Sequence, residues 1–208
     1  AQVVSGRMNL LRDFKPVTKV SSSPHLLVVA GGSPFKTQAD LVAAMRAKPG
    51  KLNFGSGGLG SPTHLMFERM DDLVPGGLKA AHVPFKGAIE AIVSVIGGDV
   101  DFVFAPPGAV IEHLKSGKLR ALSATSAARM SQLPQVPTVA EAGLAGYRDE
   151  PWGGVVVPVK TPDEVVARLF EALKLAANSA DHLALLARVG GTVEVSASPA
   201  AFAKAMND

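Results

Sequence analysis

The chain has 208 residues, 47% hydrophobic and 19% charged, with a mean hydropathy of +0.24; this is enough apolar material for a sizeable core and too much for a disordered chain. Its 21 basic and 18 acidic side chains leave a formal charge of +3, an excess too thin for a nucleic-acid surface, and no basic stripe carries interleaved aromatics. No apolar run reaches the roughly 18 residues that a spanning helix needs, and the lack of cysteine excludes disulfide scaffolds, Cys-based zinc sites and thiol nucleophiles. The length leaves room for one large α/β domain or two small lobes. Ala1-Gln2-Val3-Val4 has neither the basic nor the long apolar region of a signal peptide, so the expectation is a leader already removed or never present.

The longest apolar runs are strand-sized, such as Leu26–Ala30. After Thr37, the positions Leu41, Val42 and Met45 make one face of a helix that stops at Pro49-Gly50. Lys51–Gly55 reads as a strand, Pro62 to about Asp71 as a helix and Ala80–Phe85 as a strand. Ile89, Ile92, Val93 and Ile96 form the clearest amphipathic stripe, and Gly97-Gly98 ends that helix. Val100–Phe104 reads as a strand, Pro107–Lys115 as a helix and Leu119–Ala124 as a strand. From Thr125 to Pro151 the pattern loosens. It resumes with a β-rich run at Trp152–Pro158 and a long helix burying Val165, Val166, Leu169, Phe170 and Leu173. A helix at His182–Val189, a short strand at Thr192–Val195 and a helix at Pro199–Met206 complete the chain. Ser61-Pro62, Thr161-Pro162 and Ser198-Pro199 are helix starts, and Thr161 with Glu164 and Thr138 with Glu141 fit capping boxes. The alternation implies an α/β fold, a sheet with helices on its faces.

The segment Gly55-Ser-Gly-Gly-Leu-Gly-Ser-Pro-Thr-His64 leaves a strand and enters a capped helix start. Glycines let successive amides turn into one concavity, and the helix dipole adds to the field, so an anion site needs no lysine here. A plain glycine-rich turn without a ligand is the competing reading. The run also fits G-x-G-x-x-G, but the helix begins after the last glycine, and Lys86 follows the next strand where a dinucleotide site needs an acid. Ser33-Pro34-Phe35-Lys36 fits S-x-x-K with none of the motifs that accompany it in serine acyl-transfer enzymes. His25, His64, His82, His113 and His182 show no metal-ligand spacing and read as lone capping or core residues, with His64 set apart by its place in the first turn after the glycines. Asp99 and Asp101 read as turn residues, and Lys86 as a helix-entry lysine.

Taken in order, several segments carry a resemblance: Asp13-Phe-Lys-Pro-Val-Thr18, Ser23-Pro-His-Leu-Leu-Val-Val29, Pro49-Gly-Lys-Leu-Asn-Phe-Gly-Ser56, His82-Val-Pro-Phe-Lys-Gly87, Gly97-Gly-Asp-Val-Asp101, Gly117-Lys-Leu-Arg-Ala-Leu122 and Leu133-Pro-Gln-Val-Pro-Thr-Val-Ala-Glu-Ala-Gly143. The set resembles the Bug family, the periplasmic solute receptors of tripartite tricarboxylate transporters, over nearly the whole chain. The resemblance implies a two-lobed periplasmic-binding-protein (type II-like) fold that closes on a small organic anion: a di- or tricarboxylate, an acidic amino acid or an aromatic acid. It implies binding through backbone amides and water, with Ser56, Gly57, Gly58, Ser61, Thr63 and His64 on one loop and Ala105 and Pro106, before Pro107, on another. Trp152 matches a position near the return crossover.

The family's opening strand and its proline/glycine-rich loop have no match, so the first lobe is expected to be incomplete, comprising 1–32 and 151–208, with 33–150 as the second lobe. Uncovered apolar surface and self-association through the incomplete lobe follow as expectations. The function implied is periplasmic capture of a carboxylate for membrane permease subunits, without covalent chemistry, metal, organic cofactor or nucleic acid. The alternative is an effector-sensing module of a regulator with the same lobed fold.

Overall fold

The computed structural model describes residues 9–207; the leader reading at residues 1–4 and the first eight residues of the expected first lobe lie outside them. In chain order the elements are α1 (Leu10–Asp13), β1 (Phe14–Ser22), β2 (Leu26–Ala30), α2 (Gln38–Ala47), β3 (Asn53–Ser56), α3 (Pro62–Asp72), β4 (Ala81–Pro84) and α4 (Ala88–Gly97). There follow β5 (Phe102–Ala105), α5 (Pro107–Lys115), β6 (Leu119–Ala124), β7 (Trp152–Pro158), α6 (Asp163–Ala177), α7 (Ala180–Val189), β8 (Thr192–Val193) and α8 (Pro199–Asn207). Among the described residues no helix is long and apolar enough to cross a membrane.

The chain divides into two units, one running to Ser23 and resuming at Pro151, the other Pro24–Glu150. The boundary therefore falls at 23/24, not at the expected 32/33. The reason is β2, which pairs antiparallel with β5 on one side and β6 on the other and so is a central strand of the second unit's sheet. That sheet runs β4-β3-β5-β2-β6, with β3 parallel to both β4 and β5.

Alternation explains why Leu26–Ala30 is apolar without a break. Leu27 and Val29 face a core with Phe54, Phe102, Phe104 and the helix residues Leu41, Met45, Met66 and Met70. Leu26 and Val28 face the other, with Val103, Ala105, Ala91, Ile92, Val95 and Val110. Helices α2 and α3 thus cover one face and α4 and α5 the other, and a strand buried on both faces reads as a continuous apolar run.

The stripe expected on α4 is buried only in part, at Ile92 and, half-buried, at Ile96. Ile89 and Val93 remain 63% and 61% exposed, whereas Ala91, Ile92, Ser94 and Val95 are buried. At Gly55 an added Cβ would stand 3.2 Å from the Ala91 Cβ, so α4 lies close on the sheet at Ala91, with Ile92 buried beside it and Ile89 and Val93 left outside. The box at Thr138 forms, with Glu141 N–H donating to the Thr138 Oγ1 at 3.0 Å and Thr138 N–H to the Glu141 carboxylate at 2.8 Å. It heads turns instead of a helix, because Gly143 and Gly146 adopt positive φ soon after. Thr161 does not cap α6; Pro162 occupies the cap position and no side chain bonds the first turn.

The first unit has a three-stranded antiparallel sheet, β7-β1-β8, with Val17 packed on Val166 and Phe170 of α6. Val165, Leu169, Leu175, Leu183, Leu185 and Val189 of α6 and α7 are exposed.

Two contacts tie the irregular segment after β6 to the second unit. Tyr147 is buried and its hydroxyl donates to the Met66 carbonyl of α3 at 3.0 Å; burial, then the charge of Asp149, raises its pKa and keeps it a donor. Tyr147→Phe should lower unfolding stability by about 1 kcal/mol in urea titrations, the net worth of one such bond. Glu141 is the acceptor of Thr138 N–H and the partner of Arg129 at 2.8 Å, which hold its carboxyl below the ordinary value. A lowered acid stabilises the fold above the ordinary carboxyl range and loses that contribution as pH falls through the lowered value. Glu141→Gln should therefore lower stability at neutral pH and flatten the acid limb of the stability–pH curve, the two chains converging at low pH, as read from urea midpoints.

Candidate functional site

Strands β3, β4 and β5 are neighbours, run in the same direction, and each passes at its C-terminal end into a helix: α3 after the glycine turn, α4 after Lys86-Gly87, α5 after Pro106. Three helix N-termini therefore collect at one edge of the sheet, the place where open α/β sheets bind ligands. Ser61 caps α3, its hydroxyl accepting from His64 N–H at 3.3 Å, whereas Gly87 and Pro106 offer no side-chain acceptor to the first turns of α4 and α5. The partial positive charge of those turns faces the edge without a capping side chain, although Glu90 stands in the first turn of α4 and accepts the Lys86 amide.

Of the sequence-derived site residues, Ser56, Gly57, Gly58, Ser61, Thr63 and His64 come together in one hydrogen-bonded turn. Ala105 lies on the adjoining strand: Gly55 is paired with Val103, so Gly57 and Ala105 stand equally far beyond that pair, with Pro106 next. The turn approaches α4 so closely that a Cβ on Gly57 would sit 3.3 Å from the Ala88 nitrogen. Gly58 has φ +112 and would meet the Phe85 carbonyl at 3.3 Å. These two positions need glycine for separate reasons, space and backbone conformation.

The expectation of amides held open for an anion is corrected in part. Gly57 N–H donates to Thr63 Oγ1 at 2.9 Å, Gly58 N–H to Ser56 Oγ at 3.1 Å, and Gly60 N–H to His64 Nδ1 at 3.2 Å. Ser61 N–H is taken by the Gly58 carbonyl at 3.1 Å. The physical reason is that a half-buried amide seeks an acceptor, and this turn is flanked by a serine, a threonine and a histidine that supply them. Among the described residues the Leu59 and Thr63 amides take no such bond.

One member of the cluster is missed by reading the histidines singly. His82 on β4 is paired in register with Phe54, its ring stacks on Phe54 at 4.7 Å and on His64 at 4.2 Å, and its Nε2 lies 2.6 Å from the Ser56 hydroxyl. Burial, then repulsion from His64, lowers its pKa. The signal available was the two-residue offset from the strand end that His82 shares with Phe54, visible only once β3 and β4 are known to be parallel neighbours.

Other expectations resolve structurally. Ser33 and Lys36 form a turn in which Lys36 Nζ donates to the Ser33 carbonyl, not its hydroxyl, at 3.0 Å; no serine–lysine dyad exists. Asp101 accepts Asn53 N–H at 2.7 Å at the start of β3. Lys86 is exposed at the entry to α4. Trp152 belongs to the first unit, opposite Ser22 on β1 with its ring edge-on to Phe202 at 5.2 Å.

Residues 7–204 match the family described as "Tripartite tricarboxylate transporter family receptor". The UPF0065 protein in the tcbD-tcbE intergenic region of a Pseudomonas sp. is 36% identical over 180 residues, which is 86% of this chain and 53% of that protein. Among solved structures, an R. palustris protein with adipate superposes with a TM-score of 0.83 at 30% identity, covering 96% of this chain and 66% of that one. MatC from Rhodopseudomonas palustris with bound malate gives 0.81 at 26% identity, covering 93% and 66%. The chain spans about half the length of the curated relatives it matches. With a mixed α/β fold shared with these solute-binding proteins and a match running through both of its units, the chain belongs to the tripartite tricarboxylate transporter receptor family.

Proposed function

We propose that this chain is the ligand-capturing part of a periplasmic solute receptor that takes up a small organic carboxylate and presents it to the membrane components of a tripartite transporter. The observation that carries the reading is the sheet edge at Ser56–His64, Gly87 and Ala105–Pro107, where three helix N-termini meet and two lack side-chain caps. Such an edge favours negative charge through main-chain dipoles, without a cationic side chain. The adipate and malate held by the similar solved structures are ligands of that charge class. Recognition is by binding alone: the serine–histidine contact at the edge, Ser56 with His82, has a fully buried serine, and the family is a receptor family.

The test is calorimetric titration of the chain with adipate and malate, then with a wider set of di- and tricarboxylates, for the native sequence and for Gly58→Ala. A Cβ at a positive φ costs about 1–2 kcal/mol of strain and displaces the turn, so binding of whichever acid is recognised should weaken by about tenfold. No heat across the whole set, or binding indifferent to Gly58→Ala, would overturn the placement of the ligand on this turn.

A further inference from the structure

The glycine turn holds its amides against its own side chains, and one of those acceptors can change charge. His64 Nδ1 accepts the Gly60 N–H at 3.2 Å, and its other nitrogen, Nε2, faces the Glu68 carboxylate at 3.4 Å. An imidazole that accepts at Nδ1 carries its hydrogen on Nε2, which is the arrangement Glu68 favours. The only place left on this ring for an added proton is Nδ1, where it would end the bond to Gly60 and turn an acceptor into a donor.

The surroundings of the pair are these. His82 faces Phe54 and Ser56 of β3 and the ring of His64 on α3, and burial, then its neighbour His64, lowers its pKa. Glu68 stands behind His64, while Lys86 and Glu90 at the start of α4 are exposed, with Glu90 accepting the Lys86 amide. Two stacked rings 4.2 Å apart do not both charge readily, so the pair takes up one proton in preference to two.

We propose that His64 is the internal stand-in for the anion at Gly60, and that a proton added at His64 Nδ1 releases this amide to an incoming carboxylate, so that ligand capture is coupled to proton uptake. This rests on the carboxylate reading of the turn. It makes His64 a positioning residue whose charge state sets the fraction of chains with an available amide, and apparent affinity scales with that fraction.

Two measurements on the 208-residue chain decide it. The first needs no ligand: amide and imidazole nitrogen NMR between about pH 8 and pH 5, the interval in which histidines change charge. The expected result is a Gly60 amide resonance that moves with the His64 Nδ1 signal and exchanges faster at low pH. His64→Asn, whose side-chain oxygen can still accept, should hold the Gly60 resonance constant with pH. A Gly60 amide indifferent to pH in the native chain, or one that titrates equally in His64→Asn, overturns the proposal. Should that variant fail to fold, the native Nδ1 signal decides alone, since a proton already on Nδ1 at pH 8 excludes it as the acceptor.

The second is adipate calorimetry at about pH 6 and pH 8, a window in which carboxyls with reference values near 4 stay ionised, in two buffers of different ionisation heat. Uptake of up to one proton and binding at least about fivefold tighter at the lower pH are expected. Binding with no proton uptake and equal affinity at both values overturns the coupling and leaves the carboxylate reading standing. Failure of adipate to bind at either pH counts against that reading, while the amide spectra still decide whether acid frees Gly60.

Discussion

A backbone amide withdrawn from water needs an acceptor, and parallel strands generate amides that lack one. Each of β3, β4 and β5 can rejoin the sheet in the same direction only by a crossover, and each crossover here begins with a helix. The first turn of every such helix leaves N–H groups with no partner inside the helix. Because the three strands are adjacent, these groups gather along one edge, and the polarity of the candidate site follows from connectivity before any side chain is considered. The side chains then decide which amides are occupied. The turn before α3 is closed by Thr63, Ser56 and His64, whereas Gly87 and Pro106 leave their helices without such bonds.

The edge is held in place by the strand least concerned with chemistry. With β2 buried on both faces and paired on both sides, the sheet has a fixed centre from which β5, β3 and β4 extend in register. Polar ties fasten the surrounding irregular chain to that centre. Gln38 donates to the Val139 carbonyl at 3.1 Å and accepts the Ser123 hydroxyl at 2.6 Å, and both residues are buried. Arg120 spans the carbonyls of Gly31, Ser33 and Phe35 with one guanidinium, a task that suits its planar fork of donors. An edge whose function depends on main-chain positions gains from this rigidity, since an amide moved by an ångström is no longer a donor to the same oxygen.

Elements governed by local rules were legible in the sequence. The boundaries of α5, β6 and β7 follow from apolar runs bounded by proline and glycine, and α3 begins where Ser61-Pro62 places it. What failed depended on distant partners. Nothing within Leu26–Ala30 reveals that it pairs with Phe102–Ala105 and Leu119–Ala124, and the lobe boundary moved with that strand. On α4 the sheet takes Ala91 together with Ile92 and Val95, because Gly55 allows Ala91 to approach closely, and leaves Ile89 and Val93 out. At the site, the turn residues from Ser56 to His64 were identifiable as a group, since glycine spacing and a cap are local. The occupancy of their amides and the role of His82 were not, since both depend on a neighbouring strand twenty-six residues from Ser56.

Ser56 shows why the residue types at this edge are so constrained. It is fully buried, and its single hydroxyl stands within hydrogen-bonding distance of the Gly58 amide, the Gly58 carbonyl and His82 Nε2. A hydroxyl has one hydrogen and two lone pairs, so it can serve an amide donor and a histidine in either of that ring's hydrogen-bonding states. Alanine would strand a half-buried amide and the ring nitrogen of a half-buried histidine together, and a larger polar group would not fit where the strand has no exposure. The hydroxyl thereby links the histidine stack to the conformation of the glycine turn: a change of proton on one side alters which bond Ser56 gives and which it receives on the other. Ser56 thus joins the histidine stack to the turn at Gly58, as His64 joins it at Gly60.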